Sequence, residues 1–354
     1  MKNKPISSPH ISSSQGVTDI MRCVIVALLP SLGFGIFLFG WPAFYLSVAC
    51  ITSALFFEGV CLKLKGVDAM PYLRDNSAVV TGILVAMTLP PYAPWWIGVV
   101  GVGLAIILGK HVYGGLGQNL FNPAMLARVA LLISFPIEMT TWVNVSPLLT
   151  GAGIIDSFSI TFGGETNDAI TGATTLGLVK TGFSQHQILP DLLNEYSHFL
   201  TFIGWERGSL GETSTLLLIF GGMQLLRKGI ITWHIPTSLL GSIFVLSTLF
   251  HSIDSAHYLS PWVHLNSGAV ILVAFFIATD YVTSPNTPMG QIIFGAGCGM
   301  LIFVIRSWGG YPEGTGFAVL LMNSLTPLID HYIRPRIYGR YRNGKPLDIS
   351  EGDV

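Results

Sequence analysis

Residues 22–62 read RCVIVALLPSLGFGIFLFGWPAFYLSVACITSALFFEGVCL, a run in which Arg22 and Glu58 are the sole charged side chains. A helix rises ~1.5 Å per residue, so crossing a ~30 Å hydrocarbon layer takes about 20 mainly apolar residues. The run is twice that length and is divided by Gly40-Trp41-Pro42, so it reads as two consecutive membrane-spanning helices. It lacks a small-residue cleavage pattern and passes almost directly into the second span, which argues against a cleaved signal.

The rest of the chain agrees. Of 354 residues, 51% are hydrophobic and 10% charged, and the mean hydropathy is +0.61. Soluble domains carry ~25% charged residues, so this chain has too few charges to cover a water-facing surface. Its net charge of -1, from 18 Lys and Arg against 19 Asp and Glu, leaves no basic excess for nucleic acid. The apolar fraction excludes disorder. Continuously apolar rather than alternating stretches exclude a transmembrane barrel.

Ten segments qualify as spans: 22–40, 42–62, 77–90, 95–110, 122–136, 213–226, 230–250, 266–280, 291–306 and 315–333. The expected fold is an all-α polytopic membrane bundle. Its parts are a cytoplasmic segment (1–21), a first membrane half of five spans (22–136), a long exported loop (137–212), a second half of five spans (213–333) and a cytoplasmic basic tail (334–354). Orientation follows from Lys and Arg, which favour the cytoplasmic side. Lys2, Lys4, Arg22, Lys63, Lys65, Arg74, Lys110, Arg227, Lys228 and the five basic residues of the tail fall on one side when ten spans alternate. Cys23, Cys50, Cys61 and Cys298 all lie within spans without CxxC spacing, and read as small buried apolar residues.

Two stretches are alike. Asn76-Ser77 opens a short apolar run, followed by a Pro-rich turn (Pro90, Pro91, Pro94) and a Gly-rich span that ends at Lys110 and Gly114-Gly115. Asn266-Ser267 opens a second short run, followed by Pro285 and Pro288 and a Gly-rich span that ends at Arg306 and Gly309-Gly310. The copies lie five spans apart, an odd number, so they have opposite orientation and the halves form an inverted repeat. Short interrupted segments at matching places in such repeats point to a site at the repeat interface.

The exported loop holds Asp168-Ala169-Ile170-Thr171-Gly172-Ala173-Thr174-Thr175, a set of hydroxyls among small residues beside one carboxylate. A Thr hydroxyl can accept a phosphoryl group, although Thr-rich loop segments are for the most part only turns. The run Gly114 to Asn122 precedes a span and offers Asn119 and Asn122 for a polar ring edge; the plainer role is a Gly-rich turn with an Asn cap before Pro123. Among ionisable groups within spans Glu58 is the deepest. An unpaired carboxylate in hydrocarbon costs at least ~2.5 kcal/mol, so Glu58 should face the bundle interior, as part of an ion path or of an interhelix hydrogen bond. Asp280, Asp330 and Arg334 lie near span ends and read as solvated.

Over nearly its whole length the chain resembles the D subunits of the Rnf (or Rsx) electron-transport complex and, more distantly, the B subunit of the sodium-pumping NADH:quinone reductase. The matches run in order through Asp75-Asn76-Ser77-Ala78, Tyr113-Gly114-Gly115-Leu116-Gly117-Gln118-Asn119, Phe121-Asn122-Pro123-Ala124-Met125, Gly208-Ser209-Leu210-Gly211-Glu212-Thr213-Ser214, Trp233-His234-Ile235-Pro236 and Gly309-Gly310-Tyr311-Pro312. In that family a D-x-x-[S/T]-x-A-T segment carries FMN as a phosphoester on its last Thr. The resemblance therefore implies covalent FMN on Thr174, with Asp168, Thr171, Gly172 and Ala173 in the surrounding motif. Thr175 stands where several relatives have Pro, and supplies a second hydroxyl. The resemblance also implies an FAD-dependent flavin transferase for maturation, a noncovalent riboflavin near Asn119 and Asn122, and partner subunits that hold iron-sulfur centres and a second flavoprotein. The expected role is electron relay coupled to Na+ or H+ transport in a bacterial inner membrane, without catalysis by this chain alone. The B subunit of the sodium-pumping NADH:quinone reductase, a secondary transporter and a cofactor-free scaffold are the rival readings.

Overall fold

The computed structural model describes residues 16–148, 150–163, 172–185, 187–192 and 196–335. Its main elements are ten apolar helices, here α1 (Val17–Phe39), α2 (Trp41–Leu64), α3 (Ser77–Thr88), α4 (Trp95–His111), α5 (Pro123–Ser134), α6 (Thr215–Arg227), α7 (His234–Ile253), α8 (Val270–Ile277), α9 (Pro288–Trp308) and α10 (Thr315–Tyr332). Of these, α1, α2, α7 and α9 are long and apolar enough to cross a membrane by length and composition. Large apolar side chains such as Leu29, Phe56, Val245, Leu249 and Met300 point outward, a surface suited to lipid rather than water. The protein is a multi-pass helical membrane protein.

The two halves repeat one another in their contacts. In the first, α2 packs on α3 and α4, α4 on α5, and α1 on α3; in the second, α7 packs on α8 and α9, α9 on α10, and α6 on α8. Between halves, α1 meets α6 and α5 meets α10, each helix against its own counterpart. Lipid removes the hydrophobic force between helices, so close van der Waals approach must hold them. The α7–α9 contact shows how. Gly295 and Gly299, four apart, lie so close to Ile235 and Ser238 and to Leu239 and Ser242 that an added Cβ would overlap them.

The third helix of each half is short. α3 has 12 residues, about 18 Å at a helical rise, too little for the hydrocarbon layer. α8 is shorter still. The expected span 266–280 is broken, because helix Pro261–Asn266 ends at Ser267 and Gly268 takes φ +73°, a left-handed turn, before Val270 resumes the helix. Both broken helices sit in the core, with Val85, Ala86, Met87, Val270, Leu272 and Val273 fully buried. α4 winds as an α-helix to Gly103 and with a wider π-helical pitch over Leu104–His111. The described residues of 137–212, expected as a loop, include helices Ile154–Phe158, Thr175–Ser184 and His198–Ile203.

Candidate functional site

A helix broken inside a bundle leaves backbone groups without partners at its ends. Side chains of the neighbouring helices supply those partners here. At the start of α3, Asp75 Oδ1 accepts hydrogen bonds from the backbone N–H (2.7 Å) and the hydroxyl (2.6 Å) of Ser77. The Lys110 ammonium, at the end of α4, donates to Ser77 Oγ at 2.8 Å and to Glu58 Oε1 at 2.7 Å. Glu58 Oε2 lies 3.1 Å from His111 Nε2. Glu58 thus faces the interior and has a partner, as an interhelix contact requires. Lys110, read from sequence only as a marker of topology, is its partner, and the two are 3% and 2% exposed, Lys110 first.

The other three ends follow the same rule. At the end of α3, Arg128 Nη1 donates to the Thr88 carbonyl, a cation at the negative end of a helix dipole. At the start of α8, Glu313 Oε1 accepts from the Ala269 N–H at 2.5 Å, an anion at the positive end. Arg306 donates to the carbonyls of His264 (2.7 Å) and Ser267 (2.8 Å). At the end of α8, Asn122 Nδ2 donates to the Ile277 carbonyl at 3.4 Å, while its Oδ1 caps α5 by accepting from Ala124 and Met125 N–H.

Two cavities flank this pair of broken helices. The first lies between the start of α3 and the end of α8. Ser77, Thr81, Lys110, Asn119, Asn122 and Asp280 line its wall. The structure therefore brings the two sequence-flagged asparagines together, gives Asn122 the capping role, and places both on one cavity. The turn before them is made by Gly114, Gly115 and Gly117, all at positive φ. Asp280, read as solvated, lies on the wall of this cavity; Asp330, also near a span end, holds the turn at Asn286 through its carboxylate.

The second cavity lies beyond the start of α8 and is walled by Arg128, Thr174, Arg207, Glu212, Glu313 and Tyr311, among others. Thr174 is the N-cap of helix Thr175–Ser184: its Oγ1 accepts from the Gly177 N–H at 3.2 Å. Thr175 is placed differently, since its hydroxyl donates to the Glu206 carboxylate. Burial raises the Glu206 pKa above the usual carboxylate range, and that hydrogen bond partly offsets the rise. Arg207 packs so tightly on Gly172 that a Cβ there would overlap its guanidinium. Ala173 also borders the cavity. Lys180, on the same helix as Thr175, donates to the Arg306 carbonyl at 2.9 Å and ties this segment to α9; burial lowers its pKa. Asp168 and Thr171 lie outside the described residues.

Three residues that wall this second cavity, Arg128, Glu212 and Glu313, join Arg306 in a charged network that sequence reasoning did not assemble. Arg128 Nη2 lies 2.9 Å from Glu313 Oε2 and 3.8 Å from Glu212 Oε1, and Arg306 Nη2 lies 3.8 Å from Glu313 Oε1. The available signal was Arg128 and Arg306 within apolar spans, since buried charges demand partners. Among the described residues no cluster of His, Cys, Asp or Glu could hold a metal ion, and none of the four cysteines forms a disulfide.

A sequence profile described as "NQR2, RnfD, RnfE family" matches residues 5–339. The chain is 49% identical over 346 residues to the D subunit of the ion-translocating oxidoreductase complex of Halorhodospira halophila, covering 97% of each chain. It is 51% identical over 338 residues to the protein of that name from Stutzerimonas stutzeri, covering 94% of each. With the one from Rhodobacter capsulatus it shares 46% identity over 306 residues, covering 85% of each.

Proposed function

The chain belongs to the NQR2, RnfD, RnfE family, and on that premise we propose that it is the flavin-carrying D subunit of an ion-translocating oxidoreductase complex in a bacterial inner membrane. It relays electrons through FMN esterified to Thr174 and a second, noncovalent flavin at Asn119 and Asn122, coupled to Na+ or H+ movement. Its termini are cytoplasmic and residues 137–212 exported, where an FAD-dependent transferase reaches Thr174. Other subunits supply the iron-sulfur centres, the second flavoprotein and the donor site.

One observation carries the reading: Thr174, the residue to which the motif assigns the ester, lines a cavity at one end of the broken-helix pair, while Asn119 and Asn122 line a cavity at the other. The residues present fit the group. A phosphate on Thr174 Oγ1 would stand before the N-terminus of a 10-residue helix, where N–H groups and the helix dipole favour anions. The Arg207 guanidinium borders the same cavity. Thr174 Oγ1 acts here as an acceptor, and an ester oxygen still accepts. Esterifying Thr175 would instead remove the proton that its hydroxyl gives to Glu206. Bound FMN would supply one- and two-electron redox chemistry. The protein would hold its phosphate at the start of helix Thr175–Ser184, and Arg128 and Arg207 on the cavity wall would offset its charge. The equivalent contacts of the two halves support alternating orientation, with the odd spacing of the repeat.

The test is a fluorescent flavin band that survives denaturing electrophoresis of the complex made with its transferase. Thr174→Val, which keeps the shape and removes the oxygen, abolishes the band while the protein remains in the membrane; Thr175→Val retains it. A band that persists in Thr174→Val and vanishes in Thr175→Val moves the ester by one residue. No band from the unmutated protein removes the redox reading and favours a carrier.

A further inference from the structure

Four ionisable side chains, two arginines and two glutamates, meet at the Thr174 cavity: Arg128, Glu212 and Glu313 line it, and Arg306 stands 3.8 Å from Glu313 outside the lining. Their donors are shared unequally. Glu313 receives the Ala269 N–H at 2.5 Å and the nearer contact with Arg128 at 2.9 Å, with Arg306 at 3.8 Å. Arg306 directs its two terminal nitrogens at the carbonyls of His264 and Ser267. Arg128 directs Nη1 at the Thr88 carbonyl. Glu212 is left with Arg128 Nη2 at 3.8 Å, a side chain 9% exposed, and a buried Oε1 without a hydrogen-bond partner. Two carboxylates this close to one guanidinium disfavour double ionisation, and the one with fewer donors keeps the proton.

We propose that Glu212 is a proton-binding residue of this cavity: a carboxylic acid that stays neutral beside an ionised Glu313, and takes up or gives up its proton as the charge on the group carried by Thr174 changes. The second half of this statement rests on the flavin reading above; the first does not. Burial, and then the Glu313 charge, push the Glu212 pKa up to about 8. Glu313 is buried too, which raises its pKa, but Arg128, Arg306 and the Ala269 N–H outweigh that and hold it low. The other charged or titratable groups around Glu212 are accounted for. On its own segment, Glu206 accepts from Thr175 and Arg207 lies against Gly172. From helix Thr175–Ser184, Lys180 donates to the Arg306 carbonyl. From helix Pro261–Asn266, His264 offers its carbonyl to Arg306.

Negative charge added to the cavity raises the Glu212 pKa further. Below about pH 8 Glu212 already holds its proton and nothing more is taken up. Above about pH 8 it is ionised until the charge arrives, and then one proton from solvent forms one O–H bond on its carboxylate, with no bond broken in the protein. The electron that brings the charge comes from the redox partners of the proposed complex.

The experiment is infrared difference spectroscopy of the whole complex, made with and without its flavin transferase, comparing the unmutated protein with Glu212→Gln and Glu313→Gln. Gln is isosteric with a neutral Glu, so Glu212→Gln retains the fold. The unmutated protein shows a protonated-carboxyl C=O band at pH 7 that fades as pH rises through about 8, in the flavin-free complex as well. Glu212→Gln lacks the band, and in Glu313→Gln it fades at lower pH, because the neighbouring negative charge is gone. If Glu212→Gln removes no band, or Glu313→Gln leaves its titration in place, Glu212 is not the proton holder. In the loaded complex, the flavin midpoint potential of the unmutated protein falls below that of Glu212→Gln as pH rises from 8 to 10; superimposed profiles would overturn the coupling. Should Thr174 carry no flavin, the electrophoresis test reports it, and the flavin-free infrared result still decides the proton.

Discussion

Lys110→Met removes the ammonium that lies 2.7 Å from Glu58 Oε1 and 2.8 Å from Ser77 Oγ. Both charged groups are at most 3% exposed, so water cannot take the place of the lost partner. Removing one member of a buried ion pair costs ~3–5 kcal/mol, because the remaining charge is stranded. That is a large part of the ~5–15 kcal/mol by which a folded protein is stable. The cost falls on α2, α3 and α4 together, because the ammonium joins the end of α4 to the start of α3 and the wall of α2. Adding Glu58→Gln to Lys110→Met should recover at least ~2 kcal/mol, since a neutral amide no longer demands a cation. The assay is a double-mutant cycle on thermal or denaturant unfolding of the purified complex in detergent. A double variant no more stable than Lys110→Met alone would show that a stranded carboxylate is not the penalty, and the pairing argument would fail. Glu58→Gln by itself then separates roles: an ion path predicts loss of electron-driven ion uptake with flavin content preserved, whereas unaltered uptake leaves Glu58 as a structural partner of Lys110.

Gly268→Ala should destabilise the protein strongly, because φ is +73° and a Cβ would meet Arg306 Nη2 at 2.5 Å and Glu313 Oε1 at 2.6 Å; a melting temperature matching the unmutated protein would contradict that crowding. Asn119→Leu should lower the flavin extracted without covalent cleavage and leave covalent flavin untouched, while Asn122→Leu should do so and also cost ~1 kcal/mol for its lost cap; unchanged extractable flavin in both returns the pair to turn and cap duty. Lys180→Met deletes a charged donor to the last turn of α9, a loss of ~1.5–3 kcal/mol, measured as earlier unfolding of the complex and as faster proteolysis within 175–184. An export-dependent reporter fused near Gly163 should be active, and one near Lys65 or Arg227 silent; the reverse pattern overturns the orientation and with it the site of flavin attachment.

Much was legible in the amino-acid sequence because its physics is local or compositional. Lipid accepts only apolar, internally hydrogen-bonded segments, so runs such as 22–62 declare themselves. The short third segment of the first half showed through its Asn76-Ser77 start and the proline turn after it. Asn122 before Pro123 announced a helix start, and α5 begins at Pro123 with Asn122 as its cap.

What sequence could not yield depends on residues far apart in the chain. Glu58 and Lys110 are 52 positions apart, Arg128 and Glu313 are 185. Read singly, each is a costly charge or a marker of topology. Only the tertiary fold, by bringing these residues to the ends of two broken helices, turns them into partners that satisfy stranded backbone groups and dipoles. The difference in surroundings between Thr174 and Thr175 is of the same kind. Both carry the same hydroxyl on adjacent residues, and what differs is Glu206, 31 positions from Thr175 and close enough to engage only one of them. Glu212, too, became a candidate proton site only when folding set two carboxylates around one guanidinium, because a proton's affinity is decided by the charges and donors around it and not by the residues beside it in the chain.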